Sequence, residues 1–137
     1  MAVNTRTEYA LRALLEIADA KEKSVSAQAI SERQLLPKKY IEHLLSALKK
    51  ADLIRSSSGS RGGYTLARPA SRINLYDVLV AVEDETPVLS CVMEGNFCLG
   101  SACGLKALFN EVSNKQKRLY QSYTLSKIRR LRAQEAK

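Results

Sequence analysis

The sequence predicts a mainly α-helical protein: a winged helix-turn-helix domain with a small two-stranded wing, followed by a long C-terminal dimerisation helix. Three observations predict it. Two short helical segments are joined by the tight turn QLLP, and the second of them is basic on its outer side. A hairpin rich in serine and glycine follows directly. Farther on, a run of about eighteen residues carries an apolar stripe; as a helix it is about 27 Å long, more than a small winged domain can cover.

Taken in order, residues 5–20 place Ala10, Leu11, Leu14, Leu15, Ile17 and Ala18 at three- and four-residue spacing, which predicts one amphipathic helix. The polar break KEKSVS follows, with Ser24 and Ser26 as candidate N-caps of a second helix over residues 27–33. Pro37 suits the first turn of a third helix, where its missing N–H is not needed. That helix, KKYIEHLLSALKKA, has a stripe of Ile41, Leu44, Leu45 and Leu48 to bury and presents Lys38, Lys39, Glu42, His43 and Ser46. A helical hairpin with solvated charges is the plain alternative, and the next segment decides against it. DLIRSSSGSRGGYTLAR reads as a strand at 53–55, a flexible tip and a returning strand at 64–67, decorated by Arg55, Arg61 and Arg68. A hairpin directly after a helix-turn-helix is a wing. After Pro69, Asn74 is a candidate N-cap for a short helix ending near residue 84, with Leu75, Val78, Leu79 and Val82 as its buried face. The long helix, over about 105–122, carries Leu105, Leu108, Phe109, Val112, Leu119 and Tyr120 on one side. That stripe points to a homodimer, the alternative being that it folds back onto its own domain. Thr124 can cap a last helix, LSKIRRLRAQ, with a frayed basic tail beyond it.

The charge balance indicates the kind of partner. Twenty-two Lys and Arg against 14 Asp and Glu give a net charge of +8, and a pI near 9.6 suits a polyanion, nucleic acid being the commonest. On this reading a two-fold-related double-stranded DNA site receives two recognition helices in its major grooves. Lys38, Lys39, Tyr40 and Arg61 are candidates for phosphate or groove contacts, and Glu42 and His43 for base edges. Arg61, at the wing tip, can enter a minor groove. Ser26, Gln28, Arg55 and Ser60 complete the candidate DNA-facing set. The sequence shows neither a nucleophile–base pair nor a Gly-rich phosphate loop, so no enzyme is expected. It has no apolar run of eighteen residues, and its N-terminus lacks the blocks of a signal peptide, so a cytoplasmic location is expected. The expected division is a DNA-binding domain at 1–84, a cysteine-bearing loop at 85–104, and the dimerisation and C-terminal helices at 105–137.

All three cysteines, Cys91, Cys98 and Cys103, fall within CVMEGNFCLGSAC. An odd count leaves one thiol over from any disulfide framework. The spacing Cys-x6-Cys-x4-Cys lets three thiolates converge from one loop, and thiolates are soft donors suited to iron–sulfur clusters and to zinc. A structural zinc site normally shows paired ligands such as C-x2-C, which are missing here. Gly95, Gly100 and Gly104 free the backbone to wrap a bulky cluster. Three reduced thiols, or one disulfide, are the alternatives. His43 belongs to the exposed side of the third helix, which leaves aspartate, glutamate or water as candidate fourth donors.

The stretches EYALRALLEIA, LLPKKYIEHLLSALKKADLI, RGGYTLAR and INLYDVLVAVE, with the three-cysteine loop ahead of a long helix, resemble one family over nearly the whole chain. It is the winged-helix iron–sulfur transcriptional regulators, the family that includes IscR and NsrR. The RGGYTLAR wing and the L-P-x-x-Y-x-E-x-L helix, in that order before the cysteines, are its most specific marks. The resemblance implies a homodimeric bacterial transcription factor, such as a repressor, whose 2Fe-2S or 4Fe-4S cluster on Cys91, Cys98 and Cys103 controls operator binding. Redox state, nitric oxide and iron–sulfur supply are the implied signals. Two departures matter. The best-known members space their cysteines five and five, whereas here the spacing is six and four. Lys106 stands three residues after the last cysteine, where the cluster-assembly regulators have a histidine ligand. The nitric-oxide sensors instead use a carboxylate just ahead of the Tyr-Ala of helix one, reached from the other subunit. Glu8, before Tyr9 and Ala10, stands at that position; a solvated surface charge is its other reading. Two further functions fit less of the chain. A cluster-free thiol-switch repressor would close a disulfide between two of the cysteines. An iron–sulfur electron carrier would leave the wing and the basic helix unexplained.

Overall fold

The computed structural model describes residues 3–60, 62–83 and 104–136. Helices α1 (Thr5–Asp19), α2 (Ala27–Gln34) and α3 (Lys38–Lys50) lead into strands β1 (Ile54–Ser57) and β2 (Gly63–Leu66). A 3-10 turn (Ala70–Arg72) then precedes α4 (Leu75–Val82), α5 (Lys106–Gln121) and α6 (Leu125–Glu135). The strands form an antiparallel hairpin in which Ile54 faces Leu66 and Ser57 faces Gly63. This is the winged helix-turn-helix that the sequence predicts. The first strand begins later than expected because Leu53 belongs to the core. Its N–H closes the end of α3 on the Leu48 carbonyl (3.1 Å), and its own carbonyl receives Ala67 N–H at 3.0 Å.

Apolar spacing builds the core. Ala10, Ala13, Leu14 and Ile17 of α1 meet Ile30 of α2 and all four stripe residues of α3, with Ile54, Ile73, Val78 and Val82 closing the sides. Each buried aliphatic side chain contributes roughly 1.5–3 kcal/mol relative to exposure. Side-chain caps set the helix starts. Ser26 Oγ accepts from Ala29 N at 3.1 Å, and Thr124 Oγ1 from Lys127 N at 3.2 Å. Asn74 and Asp77 form a reciprocal capping box (2.9 and 3.0 Å).

The chain returns to the winged unit after α5. Leu125 is fully buried and donates its N–H to Ile73 O (2.8 Å), while Leu75 N–H reaches Tyr123 O (2.8 Å). Asp19 at the end of α1 holds Arg129 Nε at 3.0 Å and Arg132 at 2.7 Å. Helix α5 is different, because no residue of it is buried. Leu105, Leu108, Phe109, Val112 and Leu119 are 40–54% exposed, so among the described residues nothing from the same chain covers the stripe. Its lower half leans on α4 through Lys117, whose Nζ lies 5.2 Å from the centre of the Tyr76 ring.

Candidate nucleic-acid interface

Helix α3 is mounted by its apolar side and turned outward by the rest. Ile41, Leu44, Leu45 and Leu48 are buried, while Lys38, Lys39, Glu42, His43, Ser46, Lys49 and Lys50 are exposed. The turn before it is tightly built. Leu35, at the end of α2, is left-handed (φ 54°), and Leu36 is buried. Ser31 fastens the turn, accepting Leu36 N–H on its carbonyl and donating its hydroxyl to Leu36 O at 2.5 Å. Leucine is disfavoured in this region by its Cβ, at roughly 1–2 kcal/mol.

The wing is tied to the same unit. Val25 and Tyr64 exchange both backbone hydrogen bonds, at 3.0 and 2.8 Å. Gly63 makes this possible, since a Cβ there would lie 2.6 Å from the Val25 carbonyl carbon. At the tip, Gly59 takes a positive φ of 104°. Between the wing and the helices runs an open groove walled by Ser26, the N-cap of α2, Gln28 of α2, Lys38 and Glu42 of α3, and the serines of β1. Among the described residues its polar side chains are paired locally, among them Lys38 with Glu42 at 3.9 Å and Gln28 with Glu32 at 2.6 Å. Such exposed pairs are worth well under about 1 kcal/mol, so a DNA phosphate or base edge can replace them at little cost.

The expected DNA-facing residues thus fall into groups. Ser26, Gln28, Lys38 and Glu42 share the groove; Lys39 and His43 stand exposed on the same helix; Arg55 and Ser60 are exposed on the wing. Tyr40 is half-buried, its ring edge-on to Tyr9 at 5.7 Å and 86°. Arg61, Cys91, Cys98 and Cys103 lie outside the described residues. Glu8 is exposed on α1, with Oε1 3.7 Å from Arg12. That arginine is a residue the sequence reading passes over. It lies 5.4 Å from the Tyr9 ring centre, and donates to the Gln34 side chain at 2.8 Å and to the Gln34 carbonyl at 2.5 Å. Gln34 in turn donates to Glu16 at 2.6 Å. Helix α1 is therefore bonded to the last residue of α2, at the entry to the turn. No local pattern announces contacts between residues 22 apart in the chain.

A surface of this shape with a surplus of cations suits DNA, and the comparison with known proteins agrees. The family model for Rrf2, described as an iron-dependent transcriptional regulator, matches residues 3–130. The chain belongs to the Rrf2 family. Like other Rrf2 members it is a DNA-binding transcriptional regulator and not an enzyme. The protein Rrf2 of Nitratidesulfovibrio vulgaris is 35% identical over 132 residues, covering 95% of this chain and 88% of its own. Among solved structures, T. potens IscR superposes with a TM-score of 0.73 at 29% identity, over all of this chain and 91% of that one. The oxidized form of Staphylococcus aureus CymR gives 0.68 at 27% identity, over 93% of this chain and 95% of that one. Among the described residues of this Rrf2 protein, no helix is long and apolar enough to cross a membrane.

Proposed function

We propose that this protein is a homodimeric repressor whose operator affinity is set by an iron–sulfur cluster held by Cys91, Cys98 and Cys103. The observation that carries the reading is the confinement of every thiol of an Rrf2-family chain to one thirteen-residue segment. Among the described residues no three His, Cys, Asp or Glu side chains gather to hold a metal. Three soft thiolates fit iron–sulfur chemistry, and a bound cluster would supply redox and nitric-oxide sensitivity. Glu8 is the candidate fourth donor, contributed by the partner subunit. Its carboxylate is exposed and pairs only loosely with Arg12, which leaves it available.

The same bonds give Glu8 a route to DNA. Helix α1 carries both Glu8 and Arg12, and Arg12 joins it to Gln34 at the entry to the α2–α3 turn, so a displacement of α1 by ligation of Glu8 would be passed to that turn. A carboxylate is a harder donor than a thiolate and should be the weakest of the four attachments. Its release would free α1 from the partner subunit and, through the Arg12–Gln34 bonds, alter the seating of the turn before α3.

A second reading, a cluster-free thiol switch, is supported by the likeness to S. aureus CymR, whose structure is of an oxidized form. It predicts a colourless protein whose DNA affinity changes with disulfide formation. The cluster reading predicts visible absorption that falls when any one of the cysteines is changed to alanine.

The DNA part of the proposal has its own test. Arg61→Ala should weaken operator binding and lower the slope of log K against log salt by about 0.9, as expected for one lost phosphate contact. Binding isotherms at several salt concentrations measure this, and an unchanged affinity and slope would take Arg61 out of the interface.

A further inference from the structure

The wing stands between two clefts. The inner one is the groove shared with α3. The outer one lies between the wing tip, the loop leading into α2, and α2 itself, with Lys23, Arg33, Ser60 and Gly62 in its walls. Ser26 and Gly62 line both clefts, so the inner surface continues around the root of the wing.

We infer that the outer cleft, through Lys23 and Arg33, grips the second of the two DNA strands that border the minor groove entered by the wing. The inference rests on the DNA-binding reading and deepens it. A wing tip inserted into a minor groove has one sugar–phosphate strand on each side. The inner groove serves the strand next to the recognition helix, leaving the other strand to whatever lines the outer side.

The outer cleft is built for such a strand. Among the described residues its walls carry the cations Lys23 and Arg33 and no carboxylate. Lys23 forms no ion pair among the described residues. Arg33 pairs with the largely buried Glu16 at 3.4 Å, yet its own side chain stays 59% exposed, so its outer face is open to a phosphate. The remaining walls include Ala20, Val25 and Ala29, small residues that leave room for a backbone to approach. The nearest acidic neighbour in the loop, Glu22, lines a different hollow with Lys21 and Arg68.

The test uses the full-length protein and a duplex that the protein itself selects from a randomised pool. Lys23→Ala should bind severalfold more weakly, with the salt slope lower by about 0.9 and the same base preferences. Its hydroxyl-radical footprint should lose only the outermost backbone protection beside the wing, and Lys23→Arg should restore both the slope and the footprint. If the parent binds with a steep salt dependence and Lys23→Ala matches it in slope and footprint, the outer cleft does not hold DNA. A parent without salt-sensitive binding would overturn the DNA-binding reading and this inference together.

Discussion

Changing Leu108 and Val112 together to glutamate should turn the protein from a dimer into a monomer and lower operator affinity by roughly 100- to 10,000-fold. Both side chains lie on α5, one turn apart on the same side, and are 49% and 43% exposed. Covering the exposed half of such a side chain is worth roughly 1 kcal/mol, so in the proposed dimer a stripe of five large apolar groups would supply much of what holds two copies together. The double change would instead place four carboxylates in the dimer interface. Glutamate is a good helix former, so α5 itself should persist. The loss in affinity follows from valence, because a dimer engages its second half-site at a high effective concentration that a monomer forfeits. Sedimentation velocity and operator titration measure the two halves of the prediction. A variant that remains dimeric and binds like the parent would remove α5 from the subunit interface.

Gly63→Ala should destabilise the protein by about 2–4 kcal/mol and lower its melting temperature by about 10 °C. The three atoms nearest an added Cβ are all backbone: Val25 C at 2.6 Å, Val25 O at 2.7 Å and Ser26 N at 3.0 Å. Backbone cannot swing aside as a flexible side chain can. Relief requires the wing to part from residue 25, breaking the two hydrogen bonds between Val25 and Tyr64. The remaining folded molecules should bind DNA poorly, because the groove loses its fixed width. Thermal melting and operator titration check both effects, and a parent-like melting curve would show that the wing root is looser than its contacts imply.

The elements legible in the sequence are those whose signals are local. The three- and four-residue spacing of α3, the glycines of the hairpin, and the caps Ser26, Asn74 and Thr124 all act within a turn or two of chain. The exposed stripe of α5 was legible for a related reason: its spacing is local, and its length exceeds what the winged unit can cover. What escaped the sequence depends on residues far apart in the chain. Arg12 reads as one more charge on an amphipathic helix until Gln34 is brought to it. The pairing of Asp19 with Arg129 and Arg132 spans 110 residues or more, so the seating of α6 on α1 left no local trace. Leu35 is a different kind of miss. Its left-handed backbone would ordinarily favour glycine, and the turn is instead enforced by Leu36 in the core and Ser31 bonded across it. The candidate DNA-facing residues were legible as a charged surface, but the ion pairs within it and the second cleft behind the wing were not.

The most direct test of the central claim is a single anaerobic preparation. The protein is purified without oxygen, its iron, sulfide and visible spectrum are measured, and its operator affinity is compared before and after the cluster is removed by chelation. The proposed mechanism predicts a coloured protein with iron and sulfide in cluster stoichiometry, and a DNA affinity that changes when the colour is lost. A colourless protein, or a coloured one that binds DNA identically with and without its cluster, would contradict it.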